Sequence, residues 1–219
     1  MSIANRRRRE REERRFCILD AAESVFADKG FDRATMDDIA SEAELSKGTL
    51  YLYFKNKDDL LMSLASRSIE AVVEDLEAIA RAPHSAGVAL RAVLRKQAAH
   101  LTSRPQMFRI MIGQFLDGVE LDTTLPSFNC HRDLIGRIMA VVASLIKRGK
   151  QDGTMRVDID PVQMAAQLWS GVIGAVLMHL NAERMACRMP YPIDFAHFVD
   201  GFIETICCGL HPTNGELSS

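Results

Sequence analysis

Lys47, Gly48, Thr49, Tyr51 and Tyr53 follow one another at a spacing that leaves Leu50 and Phe54 for a different face of the same short helix. The free face then carries a cation, a stretch of bare backbone, a hydroxyl with a methyl, and two phenols. That set suits the edge of a nucleic-acid duplex better than the transformation of a substrate. Lys donates to guanine O6 and N7, Thr bonds a base or touches a thymine methyl, and Tyr reaches phosphate. Ser46, just before this run, caps a helix start whose unpaired N–H groups attract anions. By contrast, no Ser/His/Asp order, glycine-rich phosphate loop or paired-carboxylate motif is present, so no enzyme and no catalytic residue is expected. Five cysteines, at 17, 130, 187, 207 and 208, form an odd set without a Cys-x-x-Cys pair. Neither a disulfide framework, a metal site nor a cofactor is expected from them.

The elements that must position these residues are helices. Apolar residues recur at three- and four-residue intervals between only 13 Gly and 7 Pro, and no strand pattern competes. The spacing predicts an all-α chain of about nine helices, at 10–29, 35–43, 47–54, 56–82, 87–103, 106–117, 127–148, 161–186 and 192–210. In the first of these Phe16, Leu19, Ala22 and Phe26 share a face, and Gly30 closes it. Thr35 and Asn56 each stand three residues before a carboxylate, the capping-box spacing, and Leu45 and Leu50 bracket Ser46 as a hydrophobic staple. The outcome is a helix, a three-residue turn and a second helix too short to stand alone, held by Leu50 and Phe54.

Charge sharpens the picture. Lys and Arg total 27 against 29 Asp and Glu, so the net of −2 gives no global pull toward nucleic acid or membrane. Residues 1–15, however, hold seven arginines and three glutamates, and Arg6, Arg7, Arg8 and Arg9 are expected to form an arm that touches DNA or else a solvated helix face on which Glu10 pairs with Arg14. Residues 35–61 carry three lysines and six carboxylates, and the carboxylates are expected to point away from DNA. The start of the chain shows no export h-region, so a cytoplasmic location is expected. Residues 161–182 lack any charge, but Gln163, Gln167, Ser170, His179 and Asn181 interrupt them, so a buried helix rather than a membrane span is expected.

The run Thr35-x3-Ile39-Ala40-x2-Ala43-x2-Ser46-Lys47-Gly48-Thr49-Leu50-Tyr51-x-Tyr53-Phe54-x2-Lys57-x2-Leu60-Leu61 closely resembles the DNA-binding domain of the tetracycline-repressor (TetR) family of transcriptional regulators. The resemblance covers Phe16 to Leu61, and residues 153–180 resemble that family's penultimate long helix; residues from roughly 83 to 150 carry no motif that adds to it. It implies that Thr35, Tyr53 and Lys57 hold phosphates while Lys47, Gly48, Thr49 and Tyr51 enter the major groove. Glu44 stands where the family commonly has a turn glycine; a positive φ there would cost about 1 kcal/mol. The resemblance also implies a homodimer on a palindromic operator and an effector among the later helices that shifts the fourth helix and the spacing of the two DNA-reading heads. The domains implied are 1–55 for DNA binding, 56–211 for effector binding and dimerisation, and a tail at 212–219.

In the regulatory half, Phe108, Met111, Phe115, Phe128, His131, Met139, Trp169 and Ile173 supply an apolar lining with one titratable group, suited to an uncharged or amphipathic effector. Six of the 11 methionines fall in these helices, where their flexible side chains adapt to ligand shape. The last two helices are expected to form the dimer contact. Ala166, Gly171, Gly174 and Ala175 permit close approach, and Phe195, Phe198, Val199, Phe202, Ile203 and Ile206 offer apolar surface. The competing reading is a helical ligand- or protein-binding module that does not bind DNA, and salt-dependent duplex binding separates the two.

Overall fold

The computed structural model describes residues 3–116 and 122–212. Among them are ten helices and no strand: α1 (Ile3–Lys29), α2 (Met36–Glu42), α3 (Lys47–Tyr51), α4 (Lys57–Arg81), α5 (Ala86–Ser103), α6 (Pro105–Leu116), α7 (Pro126–Gln151), α8 (Pro161–Leu180), α9 (Ala182–Ala186) and α10 (Phe198–Gly209). The chain divides into two compact units, one of Met1–Ser68 with Gln106–Arg132, the other of Ile69–Pro105 with Asp133–Ser219. These units cut the chain differently from the linear division at 55/56. The reason lies in α6, whose Met107 and Ile110 pack against the core of the N-terminal helices.

In the first unit that core is Ile18, Leu19, Ala22 and Phe26 of α1, Ile39 and Ala40 of α2, Leu50 of α3, Phe54 after it, and Leu60 and Leu64 of α4. Helix α1 begins seven residues before the expected Glu10 because Arg6–Glu10 and Arg9–Glu13 pair at 3.1 Å along one face. Glu10 thus pairs with Arg6, not with Arg14. Phe16 is 54% exposed, against the expectation of a buried place beside Leu19. The inward stripe of α1, followed toward its start at four-residue steps from Leu19, meets Arg15 and Arg11 instead.

In the second unit α5 offers Ala89, Leu90, Val93 and Leu94, α8 offers Leu168, Val172 and Val176, and α10 offers Ile203 and Cys207, all buried. Gly171 of α8 lets α10 approach: a Cβ there would stand 2.6 Å from the Phe202 ring. Arg91 and Arg95 of α5 clasp Glu204 of α10 at 3.2 and 2.6 Å.

Two helix boundaries depart from the sequence expectation. The helix expected over 161–186 stops at Asn181, whose side-chain amide donates to Leu177 O at 2.8 Å and competes with the next turn. The last helix begins at Phe198 rather than Pro192, because the Asp194 carboxylate takes the Ala196 N–H at 2.8 Å and holds a turn. The expected helix end at Asp117 and most of the 212–219 tail lie outside the described residues.

Candidate nucleic-acid interface

Three caps aim the residues expected to face DNA. Thr35 and Asp38 form a full capping box at the start of α2: Thr35 Oγ1 accepts from Asp38 N at 3.1 Å, and Asp38 accepts from Thr35 N at 3.0 Å. Thr35 Oγ1 also donates to Asp38 at 2.8 Å, so this hydroxyl is engaged within the chain. Lys29 Nζ lies 2.6 Å from the same carboxylate and, with the Thr35 bonds, holds it down at about 2 from its ordinary 3.8. Ser46 caps α3, accepting from Thr49 N at 3.2 Å while its hydroxyl lies 2.8 Å from Thr49 Oγ1. Asn56 Oδ1 caps α4 through Asp59 N at 2.9 Å, whereas the Asp59 carboxylate reaches past the cap to Lys55 N at 2.9 Å.

Between α2 and α3 the chain closes in a Schellman turn, with Leu45 N bonded to Ala40 O at 2.9 Å and Glu44 N to Ser41 O at 3.1 Å. Its pivot is Glu44, at φ 54°, the only non-glycine residue with positive φ among those described. The turn therefore requires the left-handed conformation that glycine adopts freely.

Helix α3 buries Leu50 completely and turns Lys47, Gly48 and Tyr51 outward, with Thr49 half-buried. Leu52, 74% exposed just beyond it, adds an apolar group that sequence reasoning did not single out. Nothing lies within 4 Å of the position a Cβ would take on Gly48, so no internal packing demands glycine there. Lys47 Nζ lies 2.7 Å from Asp37 of α2, a pairing that raises the lysine above its ordinary range. Asp37 thus does not point away, as is expected of the six carboxylates of this segment; it stands beside Lys47 on the face expected to meet DNA. Glu42, facing Ser24 Oγ at 3.2 Å, does turn inward toward α1.

The expected phosphate contacts divide. Tyr53 is half-buried beneath Arg11, whose guanidinium carbon stands 5.8 Å from the ring centroid. Lys57 is directed elsewhere: Nζ donates to Phe31 O at 2.7 Å and Asp32 O at 3.2 Å, and sits 4.7 Å from the Phe31 ring centroid. In this position it pins the α1–α2 loop. Of the arginine arm, Arg6, Arg8 and Arg9 face Glu10, Glu12 and Glu13, while Arg7 has no carboxylate within 4 Å among the described residues.

Of the expected effector residues, Phe108 is buried and Met111, Phe128 and His131 are half-buried in the first unit; the side chain of Phe115 lies outside the described residues. Met139, Trp169 and Ile173 are half-buried in the second unit. The His131 Nδ1 atom is buried without a hydrogen-bond partner, and burial pushes this imidazole below its ordinary range. Clefts of about 290 and 260 Å³ open elsewhere, the first at the start of α1, the second beside the start of α8.

Among the ten expected dimer residues, Ala175 and Ile203 are buried within the chain, and Phe202 fills the notch over Gly171. These belong to the chain's own core, since α10 folds back onto α8. Phe195 stands before α10, its ring 5.5 Å from that of Phe198. Ala166 and Gly174 of α8 remain half-buried, nothing faces Gly174 within 4 Å, and neighbouring Val162 is 69% exposed. Helix α8 is long and apolar enough to cross a membrane by composition, and only 28% of its most apolar stretch is buried.

Residues 18–64 match the family model described as bacterial regulatory proteins, tetR family. The HTH-type transcriptional activator FasR of Mycolicibacterium smegmatis is 33% identical over 205 residues, covering 91% of this chain and 84% of that protein. The fatty acid metabolism regulator protein of Bacillus subtilis is 26% identical over 201 residues, covering 89% and 94%. The fold matches that of the transcriptional regulator FadR from Bacillus subtilis in complex with stearoyl-CoA, with a TM-score of 0.68 at 22% identity over 90% of this chain and 99% of that one.

Proposed function

The chain belongs to the tetR family of bacterial regulatory proteins and is a DNA-binding transcriptional regulator, and from that premise we propose that it represses transcription as a cytoplasmic homodimer on a partly palindromic operator. The observation that carries the DNA contact is the outward face of α3. Lys47, Gly48, Thr49 and Tyr51 stand on a helix whose opposite side is locked by Leu50, with open space in front of the bare backbone at Gly48. One such helix reads only a few base pairs, so a symmetric pair is needed for a specific site. The uncovered face of α8 around Val162, Ala166 and Gly174 is the surface proposed to meet the second copy.

The effector proposed is a long-chain acyl thioester, the ligand class named for the FadR structure and consistent with the fatty-acid regulator among the relatives. Met111 and Phe128 offer apolar contact, and the unpartnered His131 Nδ1 offers a polar group for the thioester end. The start of α7 is tied to the first turn of α4, where Ser127 Oγ donates to Asp59 Oδ1 at 2.5 Å, and the segment just before α7 is tied to the turn after α3, where Lys55 Nζ lies 2.8 Å from Asp122. A ligand that moves this start therefore pulls on the end of the DNA-reading helix. The test is duplex affinity with stearoyl-CoA, stearate or coenzyme A added. Stearoyl-CoA should lower it at least ten-fold, which needs about 1.4 kcal/mol of coupling, coenzyme A alone should not, and Ser127→Ala should blunt the response. No change with any acyl chain length contradicts the effector class.

A further inference from the structure

The stripe of α1 that is apolar in the core, through Phe26, Ala22, Leu19 and Ile18, continues toward the start of the helix as Arg15 and Arg11. Neither guanidinium is neutralised: among the described residues no carboxylate lies within 4 Å of either, while Arg6, Arg8 and Arg9 each have a glutamate four residues on. Both are instead held by rings. Arg15 stands 4.5 Å over Phe54 and donates to Ser63 Oγ at 2.9 Å, and Arg11 stands 5.8 Å over Tyr53. A guanidinium stacked on an aromatic face keeps its N–H edge free for a planar or tetrahedral anion. Arg8, Arg11, Glu12, Arg15 and Tyr53 surround an open cleft of about 290 Å³. Glu12 is matched by Arg8, 3.8 Å away, which leaves the cleft with a net positive lining.

We propose that this cleft is a seat for one phosphodiester of the duplex backbone, with Arg11 and Arg15 as the cations that hold it. The inference rests on the DNA-binding reading and deepens it, because it moves the arm's contribution from Arg6–Arg9 to two residues further along, fixed on the two rings that follow α3. Tyr53 and Phe54 are continuous with the DNA-reading helix. A phosphate bound here would therefore fix the register of that helix on the backbone without reading sequence.

The experiment measures affinity for a mixed-sequence duplex across a salt series, with wild type, Arg11→Gln, Arg11→Lys and Arg6→Gln. Arg11→Gln should weaken binding to every duplex alike and lower the slope of log affinity against log salt by about 0.9 per chain bound. Arg11→Lys should keep most of that slope, and Arg6→Gln, whose charge already faces Glu10, should change it less than Arg11→Gln does. Arg11 is exposed, so thermal melting of Arg11→Gln should match wild type. A single neutral methylphosphonate at the seated phosphate should weaken wild type more than it weakens Arg11→Gln, in which Arg15 alone still faces that phosphate. Wild-type binding with an unchanged slope in Arg11→Gln overturns the seat while the DNA reading stands. A wild type that binds no duplex overturns both.

Discussion

Lys47 Nζ, the one charged group on the outward face of α3, lies 2.7 Å from the Asp37 carboxylate of α2. The free protein thus presents the cation proposed to read bases already paired, and a duplex bound as proposed must compete for it. Asp37→Asn should release the lysine, raise affinity for all duplexes several-fold and relax base preference, since the partner that aims Nζ is gone. Competition binding with matched and mismatched duplexes checks it, and a fall in affinity would contradict competition. Asp37 also sits in the first turn of α2, so the same variant should lose about 0.3–1 kcal/mol of stability from the helix dipole.

Glu44 turns the chain between α2 and α3 at φ 54°. Glu44→Gly should stabilise the protein by about 1 kcal/mol, or ~2–4 °C in Tm. Glu44→Gln removes only the charge and should leave Tm unchanged while strengthening DNA binding. Calorimetric melting of the three proteins separates strain from charge.

Lys57 should behave as a structural cation. Lys57→Met loses two charge-assisted bonds to the loop carbonyls, which should cost about 1–3 kcal/mol, with little change in the salt dependence of DNA binding. A variant of undiminished Tm whose salt slope falls by ~0.9 would show that the side chain leaves the loop for a phosphate.

Acid should loosen the α2 cap and the contact before α7 in a defined window. Lys29 and Thr35 hold Asp38 at about 2, and Lys55 and Thr124 hold Asp122 at about 2, both from an ordinary 3.8. A carboxylate depressed in the folded state contributes stability that is complete above its unfolded value and disappears as pH falls through its folded one. Tm should therefore be insensitive to these two groups above about pH 5 and fall between about pH 4 and 2. Asp38→Asn and Asp122→Asn should each flatten that fall, and an unchanged acid limb in both would contradict the pairing.

Local signals carried most of the helix-turn-helix. The caps at Thr35 and Ser46, the buried Leu50 and Phe54, and the strained Glu44 each follow from neighbours a few residues away, which is the range over which a sequence reports its own geometry. The partners of Lys47 and Lys57 were not legible, because Asp37 and the Phe31 carbonyl come from other elements and no spacing rule links them. Arg11 and Arg15 did leave a trace: they lie at four-residue steps from Leu19 on the inward stripe, a signal hidden by reading the arginines as one arm. Phe16 departs for a different reason: counting from Leu19 by threes rather than fours puts it on the inward stripe, whereas it is exposed. The apolar residues of α10 could not be divided between core and partner by composition; only the Phe202 ring over Gly171 shows which face the chain keeps for itself.

Selection of bound sequences from random duplexes by the purified full-length protein tests the central claim most directly. The enriched sequences should form an inverted repeat, Lys47→Ala should blur defined positions in each half, and Gly174→Arg, on the open face of α8, should yield a monomer by sedimentation that enriches far less. Wild-type protein that enriches nothing above the input pool, at low salt and without any acyl ligand, would contradict the assignment of α3 as a DNA-reading helix.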